Sequence, residues 1–218
     1  MRTLVLTEKD FKKRADGYKE YNGNEDFSKF EGNLEIEASG YLFFKKIFVS
    51  GYLWTKADGF IKAVGSIEVG GFIKAGGSIE AGDSIEAGGF IEAGGFIKAG
   101  GSIEAGGFIK AGDSIEAGGF IKAGDSIEAA KGGIVCGLTI SCNGNLKFAL
   151  KLFAGVSPYS WNSNCENTVT CGKLEGNVVY GTVIETGIKV EKETINIGGN
   201  VYEVTEELKN ALENLKKV

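Results

Sequence analysis

Four cysteines are the first candidates for chemistry: Cys136, Cys142, Cys165 and Cys171, two pairs each six residues apart. Zinc motifs usually leave two residues between paired cysteines and often add histidine. This chain has no histidine at all, so a metal site is not expected. Disulfides stay open as a second reading, although nothing marks the chain as secreted. The third reading is structural: small side chains that fill a core. Recurrent Gly-Gly pairs invite comparison with phosphate-cradling loops. They lack the strand–loop–helix setting and the Lys-Ser/Thr that such loops need, so they read as corners.

The element that must position everything else runs from Phe60 to Ala129. It is a six-residue unit, S/F-I-E/K-A-G-G/D, repeated about twelve times. Internal periodicity of this kind decides the architecture. In an extended strand, Ile and the Ala two places later share a face, and the charged residue between them points the other way. The glycine that follows turns the corner, and positive φ is the expected reason for it. A meander of two-residue hairpins would set Lys74 beside Ile79 and bury nothing, because cross-strand partners share a face. A solenoid stacks Ile on Ile and Ala on Ala. The expected fold is therefore all-β: a parallel β-helix.

Charge decides the number of units per turn. Two per turn would stack Lys62, Lys74, Glu86, Lys98, Lys110 and Lys122 on one side, with Glu68, Glu80, Glu92, Glu104, Glu116 and Glu128 on the other. Like charges would then recur about every 4.8 Å. Three per turn gives columns that alternate in sign: Lys62, Glu80, Lys98, Glu116, and Lys74, Glu92, Lys110, Glu128. The third column is acidic, Glu68, Glu86 and Glu104, before Lys122. Each opposite-charge neighbour contributes about 0.2–1 kcal/mol. The three-sided solenoid, about 18 residues per turn, is the better arrangement. It also stacks Phe72, Phe90 and Phe108 into an aromatic ladder expected to be exposed, and Ser66, Ser84 and Ser102 into a serine ladder.

Around the array, residues 1–33 read as an N-terminal cap made of a strand, a short helix and a loop. The helix would start at Thr7, with acids in its first turn, and stop at Gly17. The solenoid is expected over 34–199. Gly40-Tyr41-Leu42 and Gly51-Tyr52-Leu53 are its irregular first rungs, and a loop near 155–164 interrupts it. Cys136 and Cys142 sit where the array has Ala. Residues 200–218 read as a capping helix from Thr205, with Leu208, Ala211, Leu212 and Leu215 as its apolar stripe. Helices at the two ends would cover open sheet edges.

The six-residue period resembles that of β-helical acyltransferases and carbonic anhydrases. Their chemistry depends on histidine, and their small residue precedes the aliphatic one rather than following it, so neither activity is carried over. The short, glycine-punctuated strands around an aliphatic core resemble the bactofilin-like polymer-forming β-helices. That resemblance implies a self-assembling filament or scaffold.

The formal charge of −5 and the lack of a basic block argue against direct nucleic-acid binding. From Met1 to Lys13 the longest uncharged run, Thr3 to Thr7, is too short for a signal peptide or a membrane span, so a cytoplasmic protein away from membranes is expected. The carboxylates lie in surface columns, not in a cleft with one desolvated member. The expectation is thus a protein that is not an enzyme and needs no cofactor. It would bind a protein partner, for instance as a phage or mobile-element inhibitor of a host nucleic-acid enzyme, of the anti-CRISPR or anti-restriction kind. A homo-oligomer is compatible with this. Candidate contacts are the Phe72, Phe90 and Phe108 ladder, the Tyr159–Trp161 loop, and the column Glu68, Glu86 and Glu104, which could imitate a phosphate backbone. Each has a structural counterpart: rings that shield the sheet, a tryptophan that closes a wall, a solvated face.

Overall fold

The computed structural model describes residues 1–56, 58–156 and 167–187, and the backbone of 194–197 and 200–203. Met1–Glu185 forms one unit, an all-β parallel solenoid of about seven turns. Strands stack on three faces. The first face carries Ile73–Ala75, Ile91–Ala93, Ile109–Ala111 and Ile127–Ala129 in register. The second carries Gly59–Ala63, Ile79–Ala81, Ile97–Ala99 and Ile115–Ala117. The third carries Ile67–Val69, Ile85–Ala87, Ile103–Ala105 and Ile121–Ala123. Within the perfect array each turn takes three six-residue units, as the charge pattern predicts. Over the whole solenoid the mean rises to about 19 residues per turn, because the flanking turns carry insertions such as Lys131.

Every array isoleucine from Ile61 to Ile127 is fully buried, and the alanines beside them are nearly so. Each such Ile contributes about 1.5–3 kcal/mol relative to exposure. Cys136, Cys142 and Cys171 continue the Ala positions and are buried as well. Cys165 lies outside the described residues. Beyond the array, Asn145–Ala154 runs round a corner. Its first half pairs with Ile127–Ala129 on the first face, and its second half with Ile134–Cys136 on the second.

The corners revise one expectation. Positive φ occurs at Gly17, Gly32, Gly40, Gly155, Gly176, Gly181 and Gly187, none of them in the array. The array glycines answer instead to the turn below. A Cβ on the first corner residue would meet the carbonyl oxygen one turn earlier, at 2.0 Å for Gly94, Gly100 and Gly112. The second corner residue is less confined by backbone: a Cβ has about an ordinary contact at Gly107, but at Gly95 and Gly119 it would meet the side-chain Oγ of Ser78 and Ser102 at 2.2 and 2.3 Å. That is where Asp83, Asp113 and Asp125 are found, one in each corner column.

The N-terminal region also departs from expectation. Thr3–Leu6 is already a solenoid strand, parallel to Asn33–Ile36. The helix from Thr7 is a single 3-10 turn, Glu8–Asp10, with Thr7 and Asp10 capping each other. Phe11–Lys13 then pairs antiparallel with Lys19–Tyr21, which in turn lies parallel on Gly40–Phe44. A helix would have offered only Phe11 and Ala15 to the interior. The hairpin delivers Phe11 and Tyr21 onto the open end of the core, where their rings meet Phe27 and Phe44, and Phe30 packs on Phe27. The end is sealed by an aromatic plug rather than by a helix.

The second unit spans Thr186–Val218. Within it Thr194–Ile197 and Asn200–Glu203 pair antiparallel with each other, where parallel solenoid strands were expected. A two-residue connection is hairpin length, far too short for a parallel crossover. The capping helix expected from Thr205, and the loop with Tyr159 and Trp161, lie outside the described residues.

Candidate functional site

The outward positions are built by the same register as the core, and they carry the phenylalanine and glutamate candidates. Phe72, Phe90 and Phe108 form a stack on the corner that opens the first face. Their ring centroids are 4.9 and 4.7 Å apart and nearly parallel. Tyr52, one turn earlier, extends the stack at 4.9 Å from Phe72. Its hydroxyl donates to the Glu35 carboxylate, which holds the phenol's ionisation above its usual range. The rings are half-buried, not exposed as expected, because each covers the next. Such pairs contribute about 0.5–1.5 kcal/mol each. On the next corner Phe60 and Phe96 close edge-on over Ser78, at 5.6 Å, and bury it. Ser78 Oγ accepts the Phe96 N–H, and Ser84 and Ser102 accept from the turn above in the same way.

The charge columns resolve into ion pairs between neighbouring turns. Lys62–Glu80, Lys98–Glu116, Lys74–Glu92 and Lys110–Glu128 lie 2.9–3.2 Å apart. Lys62 is held above its usual range by its bond to Glu80. In the acidic column Glu68 and Glu104 are also matched, by Lys46 at 3.0 Å and Lys122 at 2.7 Å. Only Glu86, between two glutamates, has no salt bridge among the described residues.

The cysteines sit among apolar neighbours. Burial pushes the Cys136 and Cys142 thiols up to about 11, which leaves almost no thiolate at neutral pH. Burial raises Cys171 as well. Among the described residues no three His, Cys, Asp or Glu side chains converge as metal ligands, and no helix is long and apolar enough to cross a membrane.

One surface was missed by sequence reasoning. The second-face column that alternates through Lys98 and Glu116 continues as Val135, Phe153 and Tyr180. Leu150, on the bend of Asn145–Ala154, is 63% exposed. Ser114, Ile115, Val135, Ala149, Leu150 and Phe153 line a shallow apolar cleft there. The signal was available in the sequence: Val135 stands where the array always has Glu or Lys. No protein-family model, curated protein or solved structure matches this chain.

Proposed function

We propose that this chain is a non-catalytic protein-binding β-solenoid that docks a protein partner on the second face, around Val135, Leu150 and Phe153. The observation that carries this reading is the change in the outward column. Through the array it is charged and self-neutralising. At Val135 it turns apolar, beside the exposed Leu150. Contiguous apolar surface rimmed by polar residues marks interaction sites, and nothing in the core requires these side chains to be apolar.

A phage or mobile-element inhibitor of a host nucleic-acid enzyme fits a small, acidic, histidine-free chain, and the acidic column would be its phosphate mimic. Lys46 and Lys122 neutralise two of its three glutamates, so support moves from charge mimicry to the apolar cleft. A bactofilin-like filament is the second reading. Head-to-tail stacking would need all three faces of the first turn open. The aromatic plug covers the core, and the Phe11–Tyr21 hairpin extends the second face, which favours the first reading.

The test is affinity capture from source-cell extract with tagged wild type and two variants. Val135→Glu with Leu150→Asp should weaken capture of the partner by roughly thirtyfold, or about 2 kcal/mol, the scale of a binding hot spot. Phe90→Ser should retain it. Equal capture by the cleft variant, with an unchanged melting temperature, would refute this site. Loss on Tyr159→Ala with Trp161→Ala alone would move it to that loop.

A further inference from the structure

The first-face strand Thr3–Leu6 is an open sheet edge. Among the described residues its one partner is Asn33–Ile36, on one side. The Arg2 and Leu6 carbonyls accept from Asn33 and Glu37, so even-numbered residues point their backbone groups into the solenoid. Thr3 and Val5 therefore aim their N–H and C=O groups outward, away from Asn33–Ile36. Thr7, next in parity, is closed off: its N–H donates to Asp10 Oδ2 at 2.7 Å and its C=O accepts the Asp10 N–H at 3.0 Å. Proteins usually guard such edges with lysine, proline or a bulge. Thr3 to Thr7 has none of these, and Val5 is 42% exposed.

We infer that this edge pairs with the same edge of a second copy, antiparallel, about a two-fold axis at Leu4. The parity of the open groups selects the register. With the axis at Leu4, Thr3 of each chain faces Val5 of the other, and each such pair exchanges both of its hydrogen bonds. All the outward groups of Thr3 and Val5 are then used. An axis at Val5 would set Thr3 against Thr7, whose groups Asp10 already occupies. The half-buried Leu4 side chains meet across the axis and extend the two cores toward each other. A two-fold contact of this kind is closed and yields a dimer, not a fibre. It is independent of the cleft at Val135.

Sedimentation of the full chain over a concentration series tests the pairing. Wild type should pass from monomer to dimer. Val5→Pro removes an outward N–H that no bond among the described residues uses, a position where strand proline is tolerated. It should raise the dimer dissociation constant roughly tenfold or more. If that variant fails to fold, Thr3→Lys with Val5→Lys places lysines opposite one another in the dimer and should have the same effect. Register is read by mild oxidation. Leu4→Cys should cross-link, since Cα atoms at such a pair lie about 4.5 Å apart. Arg2→Cys should not, being about 14 Å from its own copy at 3.4 Å per residue. A monomer at every concentration, a dimer untouched by the edge variants, or equal cross-linking at both cysteines overturns the proposal.

Discussion

Gly106 and Gly107 share one corner and meet different constraints. A Cβ at Gly106 would lie 2.2 Å from the Gly88 carbonyl oxygen, whereas one at Gly107 finds its nearest neighbour, the Phe90 nitrogen, at 3.4 Å. Gly106→Ala must push two turns of backbone apart and should cost about 1–3 kcal/mol, as overpacking does. Gly107→Ala should be neutral or stabilising by up to about 1 kcal/mol, through a less flexible unfolded chain. Chemical denaturation of the two variants checks this, and equal midpoints would refute the close-approach account. The distinction was half legible. The sequence shows Gly at the first corner position and Gly or Asp at the second, with Val64 and Ala130 as exceptions at the two ends of the array. A local argument from φ treats both positions alike, because the oxygen that excludes a Cβ belongs to a residue eighteen positions earlier. The cysteines were easier to place: parity alone put Cys136 and Cys142 in the Ala column.

At the scale of the element, each outward column is a ladder whose rungs are set by register. The triangular folding could be derived from the signs of Glu and Lys because each charge touches only the turns above and below it. Glu86 is the one array glutamate left between two others. Glu86→Lys should therefore stabilise the protein by about 0.2–1 kcal/mol. Glu80→Lys breaks the pair with Lys62, stacks three lysines, and should destabilise by a similar amount. Both effects should shrink in molar salt, where screening acts within about 3 Å. Thermal melts at low and high salt test the pair; an unchanged or lower melting temperature for Glu86→Lys at low salt would contradict the ladder. The N-terminal hairpin was not legible in the same way. Thr7 and Asp10 do form a capping box, so the helix-start signal was real. What overrode it was the uncovered end of a core many residues away, which draws in Phe11 and Tyr21.

For the molecule as a whole, the core repeats every turn but the charge columns of the first and second faces repeat every two turns. Duplicating 73–108, two turns, keeps Lys and Glu alternating on those faces. It should lengthen the solenoid by about 10 Å, two strand spacings of about 4.8 Å, while the melt stays cooperative. Duplicating 91–108 alone sets like charges on neighbouring turns of all three faces and should melt lower than the two-turn insertion. Scattering and calorimetry on both chains decide it, and a higher melting temperature for the one-turn insertion would show that outward charge has little influence. Architecture at this scale was legible because a repeat averages over local ambiguity. The antiparallel pairing of Thr194–Ile197 with Asn200–Glu203 was not, since Ile195 and Ile197 echo the repeat. The uniform core has a consequence for how the chain finds its fold. Interior side chains that are the same at every level carry no address. Slipping one segment past another by a full turn leaves Ile on Ile and Ala on Ala, so collapse alone cannot count. Position is written on the outside instead: where Phe gives way to Ser at Ser126, where Glu gives way to Lys at Lys122, and where the aromatic plug declares that one end has been reached.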